Sequence, residues 1–155
     1  MKNNYISIYN NLIKLTRNKL LYKNIQTEEN FSIRLILFQI HFAFFLRRFK
    51  RDNEKEKMQD IYDFNFRQIE ISIREIGYGD VSINKKMKDY LNLFHKIIEK
   101  IDNWEQLSIT QKSNFFNEFL NPAKDNTFFI EYFEKYIALL EENTLNSFIN
   151  NIIDL

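Results

Sequence analysis

Only two glycines and one proline interrupt 155 residues. Both glycines fall in one tetrapeptide, Gly77-Tyr78-Gly79-Asp80, and the proline is Pro122. Glycine and proline are the strongest local punctuators of regular backbone, so a chain this poor in them is built from long elements. Apolar residues recur every three or four positions, and no sustained alternation of period two is present, which makes those elements helices. The expected fold is all-α: a single compact domain over residues 1–155, of about six or seven helices around a central apolar helix.

A first helix is expected from about Asn4 to Arg17, with "NKLLYKNIQT" as a linker carrying apolar anchors. Thr27 is the expected N-cap of the next helix, from about Glu28 to Lys50, with Glu28 and Glu29 suited to the positive end of its dipole. There Phe31, Leu35, Phe38, Phe42, Phe45 and Phe49 alternate spacings of four and three, and Ile36, Ile40 and Ala43 widen the face. A helix apolar nearly all round belongs at the centre. Asp52 or Asn53 caps a third helix reaching Ile76, where Gly77 fits the left-handed stop and Gly79 gives a second permissive position. Ser82 is the expected cap of a fourth helix, whose Met87, Tyr90, Leu91, Phe94, Ile98 and Ile101 form the cleanest amphipathic stripe. Thr110 is the expected cap of a helix from Gln111 to Leu120, ended by Asn121-Pro122. A further helix follows, capped by Asn126 or Thr127, and "TLNSFINNIIDL" reads as a short terminal helix with a frayed end.

The absence of cysteine removes disulfides, thiol nucleophiles and thiolate metal sites. Two histidines far apart, His41 and His95, give no metal-ligand spacing, and no residue pair resembles a nucleophile with its base. No cofactor is expected, and no enzymatic activity. A net charge of +1 argues against bulk nucleic-acid binding, so DNA is not an expected partner, and any basic surface must be local. The uninterrupted apolar run, Leu35 to Leu46, is too short to span a bilayer. A cytoplasmic chain, soluble or peripheral at the membrane, is the expectation.

Three features offer candidate sites. The Gly-Tyr-Gly-Asp loop lies between helices and lacks the Gly-Lys-Ser/Thr of a phosphate loop and the third glycine of a dinucleotide fingerprint; a helix stop plus turn needs no ligand. Arg34, His41 and Arg48 are seven apart in turn. They read either as a polar track toward a partner or as a core histidine with an arginine reaching solvent at each end, and for His41 the core reading is preferred. His95 reads as surface. Two basic clusters remain: Arg47, Arg48, Lys50 and Arg51, and Lys85, Lys86 and Lys88. The second falls in the first turn of a helix starting at Ser82, where the dipole disfavours cations. It is either a site for an anionic partner, such as the phosphates of RNA or lipid headgroups, or a solvated charged face.

The segment "RLILFQIHFAFFLRRF" followed by "FRQIEISIREIGYGDVSINKKMKDYLNLFHKII" resembles the ubiquinol–cytochrome c chaperone family. Members share a histidine in an apolar helix that ends in basic residues, a helix ending Arg-Glu-Met-Gly-Val-Gly-Asp, and a next start like Ser-Val-Pro-Lys-Arg-Met-Lys. The matching positions are Arg34, His41, Arg47 and Arg48, then Arg74, Glu75, Gly77, Gly79 and Asp80, then Ser82, Lys85, Lys86, Met87 and Lys88. The resemblance is strongest over about residues 30–101. Asn84 stands where the family has proline and Tyr78 where it commonly has valine, changes the turn should survive. The C-terminal third resembles the family only in being helical.

The resemblance implies a non-catalytic, bacterial-type assembly chaperone. Mitochondrial relatives are assembly factors for respiratory complex III that receive newly made cytochrome b near the ribosomal tunnel exit and hold it with a small partner protein. The implied partners are cytochrome b or another complex III component, with the ribosome or an anionic membrane surface as further ones. The implied partner-binding residues are Arg34, His41, Arg47, Arg48, Asp80, Lys85, Lys86 and Lys88, around a structural loop of Gly77, Gly79 and Ser82. The sixteen phenylalanines suggest a Phe-rich groove for apolar client surface, although at helical spacing most must be core. A ribosome- or RNA-binding adaptor working through Lys85, Lys86 and Lys88 is the alternative, and catalysis by His41 a remote third.

Overall fold

The computed structural model describes residues 2–123 and 125–150, with the side chains of residues 2 and 3 outside it. The helices are α1 (Lys2–Thr16), α2 (Lys19–Lys23), α3 (Phe31–Phe49), α4 (Lys55–Ile76), α5 (Asp80–Ile101), α6 (Ile109–Phe119), α7 (Thr127–Glu142) and α8 (Leu145–Asn150), with a 3-10 turn at Trp104–Gln106. The all-α expectation holds. Among the described residues there is no strand; Ile25 and Pro122 form an isolated antiparallel bridge that ties the segment before α3 to the end of α6.

The expected central helix is α3. Every residue from Leu37 to Phe45 is buried, because α1, α5 and α7 pack around it. An aromatic network radiates from it on two sides. Phe42 stacks on Phe94 at 5.3 Å, and Phe94 meets Phe66 edge-on at 5.0 Å, joining α3 to α4 and α5. Phe44 meets Trp104 edge-on at 5.2 Å and stacks on Phe133 at 5.6 Å, joining it to the 3-10 turn and α7. Such pairs add about 0.5–1.5 kcal/mol each beyond the area they bury. The buried Gln39 amide donates to the Tyr90 carbonyl of α5 at 3.0 Å. The short α8 covers α1, where the Asn11 amide donates to the Phe148 carbonyl.

Several element ends differ from expectation. The linker after α1 contains the five-residue α2, capped by Asn18, whose side chain accepts from the Leu20 N–H. Asn30, not Thr27, caps α3, accepting from the Ile33 N–H at 2.9 Å. Glu54 precedes α4 and makes no side-chain cap, while Asn53 donates back to the Phe49 carbonyl and Asp52 pairs with Arg48. Ser108 rather than Thr110 caps α6, in a reciprocal capping box with Gln111. Asn126 precedes α7 as expected but makes no side-chain cap; Asp125 accepts from the Thr127 N–H instead. Of the expected terminal helix, residues 151–155 and any fraying there lie outside the described residues.

Gly77 ends α4 with φ 101°, the left-handed stop expected of it. Gly79 has φ −71°, open to any residue, so its permissiveness is unused. It is also the N-cap residue of α5, which starts at Asp80; Ser82 lies inside the first turn and is not the cap.

Candidate functional site

The sequence candidates divide into three places. His41 is fully buried in mid-α3, with its ring between Tyr132, Phe133 and Tyr136. Its Nδ1 lies 2.7 Å from the Leu37 carbonyl, and its Nε2 lies 2.7 Å from the Tyr132 hydroxyl. A carbonyl only accepts, so Nδ1 carries the proton and Nε2 accepts from Tyr132. Burial pushes the imidazole pKa down to about 4, against a smaller opposing effect of the Leu37 carbonyl. The Tyr136 hydroxyl closes the set by donating to the His41 carbonyl at 2.9 Å. His41 is thus satisfied within the core, and Arg34 and Arg48 stand nearer the two ends of α3.

Arg48 is engaged in the fold. Its guanidinium donates to the Leu140 and Asn143 carbonyls at 3.1 and 3.2 Å, closing the C-terminal end of α7, and also pairs with Asp52 and Glu141. The hydrogen bond from Arg48 holds the Asp52 carboxyl below its ordinary range. Arg51 reaches the same Glu141, and Arg47 pairs with Glu105.

The third place is the α4–α5 corner. Arg74 bridges the turn to Asp80 at 3.0 Å. Because α5 starts at Asp80, Lys85 and Lys86 fall in its second turn and Lys88 in its third, beyond the strongest part of the dipole. The lysines therefore do not crowd a first turn, contrary to expectation. Lys86 lies over the Tyr78 ring at 4.5 Å. Lys85 and Lys88 are exposed, have no ion pair among the described residues, and share a helix face with Val81, which is 85% exposed.

A wide cleft that the sequence did not announce lies elsewhere on the bundle. It opens between the C-terminal half of α3, the N-terminal half of α4 and the C-terminal half of α5, and encloses about 770 Å³. Ala43, Leu46, Met58, Ile98 and Ile101 supply apolar walls, with Arg47, Lys50 and Lys55 at one end. Lys50 and Lys55 are exposed and without ion pairs among the described residues. Tyr62 and His95 also line the cleft, the Tyr62 hydroxyl lying 3.2 Å from His95 Nε2. Burial raises the Tyr62 pKa, with Asp63 adding to it. Helical spacing explains the lining: Met58 and Tyr62 are four apart, and His95, Ile98 and Asp102 are three and four apart. A floor of apolar side chains with a few convergent polar groups is the usual make-up of a binding cleft, and this volume lies in the usual range.

The cleft is not the Phe-rich groove expected from composition. None of the sixteen phenylalanines is exposed, and only Phe31, Phe64 and Phe128 are half-buried rather than buried. The aromatic surplus is core. Of the expected partner-binding residues only Arg47 lines the cleft, and His95, exposed as expected, also borders it. Among the described residues no helix is long and apolar enough to cross a membrane, and no group of three His, Asp or Glu side chains is placed to hold a metal.

The fold is a helical bundle around one buried helix, with a mixed apolar and basic cleft on its side. The family model described as Ubiquinol-cytochrome C chaperone matches residues 23–118, and the chain belongs to that family. The match runs from the end of α2 into α6 and includes every residue lining the cleft. No curated protein and no solved structure matches the chain.

Proposed function

We propose that this chain is a non-catalytic assembly chaperone that aids cytochrome b maturation for the ubiquinol–cytochrome c reductase complex, holding an apolar segment of its client in the α3–α4–α5 cleft. The observation that carries this reading is the cleft's position: its whole lining lies within the family-matched residues. Covering one large apolar side chain of a client there is worth about 1.5–3 kcal/mol. Lys50 and Lys55 suit an acidic flank on the same segment. One core with residues from α1 to α8 supports reading the chain as a single unit. Its place of action on this reading is the cytoplasmic face of the inner membrane.

The test has two arms. A strain lacking the protein should lose complex III activity and haem b absorbance; normal levels would end the assembly reading. In a complemented strain, Ile98→Glu combined with Lys50→Glu should abolish crosslinking to cytochrome b while leaving a folded protein. Undiminished crosslinking by a soluble double variant would move the client elsewhere on the surface.

A second reading rests on the α4–α5 corner, where Lys85 and Lys88, without an ion pair among the described residues, stand beside exposed Ile76, Tyr78 and Val81. This edge suits a ribosome or an anionic membrane surface. Replacing Lys85, Lys86 and Lys88 by Gln should weaken ribosome cosedimentation and flatten its salt dependence. Cosedimentation unchanged at every salt concentration would discard it.

A further inference from the structure

A second, smaller pocket lies on another side of α3, between α1, α3 and α4, and encloses about 170 Å³. Tyr9, Ile13, Phe31, Leu35, Phe38 and Ile69 make it predominantly apolar. Thr16 and Ser72 also line it, but their hydroxyls already donate to the Leu12 and Gln68 carbonyls one turn back in their own helices. What remains to recognise a polar group is the Tyr9 hydroxyl and the charged pair Arg17 and Arg34, which line the pocket and are exposed, and so stand at its mouth. Neither cation is well neutralised. Arg17 has no ion pair among the described residues, and Arg34 reaches Glu29 only at 4.0 Å.

We infer that this pocket binds a small amphiphilic anion: one aromatic ring or about six carbons of chain, carrying a carboxylate or phosphate that the two guanidiniums hold at the mouth. The size follows from volume, since a cavity of about 150 Å³ lined by aliphatic and aromatic side chains takes up benzene. The charge follows from the arginines, whose planar forks suit carboxylate and phosphate oxygens. A cationic head is repelled by the two guanidiniums, and a neutral hydroxyl accepts from them without the added attraction between charges. The site is separate from the cleft, with no lining residue in common, and does not depend on the proposed client.

Hexanoate, hexyl phosphate, 1-hexanol and hexylamine, titrated into the full chain by calorimetry, test it. Hexanoate and hexyl phosphate should bind at least tenfold more tightly than hexanol, and hexylamine should not bind. The double variant Arg17→Gln, Arg34→Gln changes exposed side chains only and should fold normally. It should bind both anions at least tenfold more weakly and hexanol as before. Ile13→Phe, which narrows the pocket, should weaken all binding. Equal affinity for hexanoate and hexylamine, no detectable anion binding by the folded chain, or anion affinity unchanged in the double variant would each overturn the assignment.

Discussion

Acidification should destabilise this protein through His41 before the carboxylates contribute much. The imidazole is held near pKa 4 in the fold, against about 6.5 in an unfolded chain. A lowered pKa means that the unfolded state binds the proton first, so stability falls as pH drops through about 6.5 and the loss is complete below about 4. The full gap corresponds to about 3 kcal/mol, of which about 2 kcal/mol is lost between pH 7 and pH 5. For a chain of this size that is about 4–8 °C in melting temperature. The physical cause is double. The charge would be buried, and a proton on Nε2 would displace the one Tyr132 donates there. Trp104, the sole tryptophan and fully buried, reports unfolding by fluorescence in urea. The wild type should lose about 2 kcal/mol from pH 7 to pH 5 while His41→Gln, weaker at pH 7, should lose little more. Equal losses in the two proteins would refute the argument, because the remaining titrating groups are common to both.

Three further outcomes are expected of the framework. Gly77→Ala should destabilise by about 1 kcal/mol in urea titrations, because φ is positive there. Gly79→Ser should stabilise by about 0.5–1 kcal/mol: its backbone is ordinary, an added Cβ meets nothing within 4 Å, and it precedes a helix that lacks a side-chain cap. Arg48→Ala should cost about 1–2 kcal/mol and speed amide exchange in the last turn of α7, with Arg48→Lys recovering only part, since a single ammonium cannot reach both Leu140 and Asn143 as the fork does.

The long helices were legible because their signals are local. The run of apolar residues in α3 required burial on all sides, and Gly77 marked the end of α4 without help from the rest of the chain. Caps were misplaced by a few residues because this sequence offers many polar candidates. Asn30 wins over Thr27 because it stands three residues before Ile33, just as the buried face of α3 begins. The five residues of α2 are too few to display a period. The preferred core reading of His41 could not name its partner, because Tyr132 is 91 residues away and its hydroxyl meets the ring only through the packing of α7 on α3. The cleft was hidden for a related reason. Met58, Ile98 and Ile101 carry the same periodicity whether their stripe meets another helix or an opening, and the spread of α3, α4 and α5 decides which.

The buried position of α3 has a consequence for the order in which the chain is made. Residues 31–49 leave the ribosome well before α5 and α7, which cover them, and domains mature as translation proceeds at about 5–20 residues per second. For several seconds the central apolar helix of this protein is without its final cover. α1, synthesised first, waits longest of all, since α8 closes over it. On the proposed reading, a protein that shelters an unfinished client passes through the same exposed condition in its own synthesis, and a product truncated before α8 would keep it.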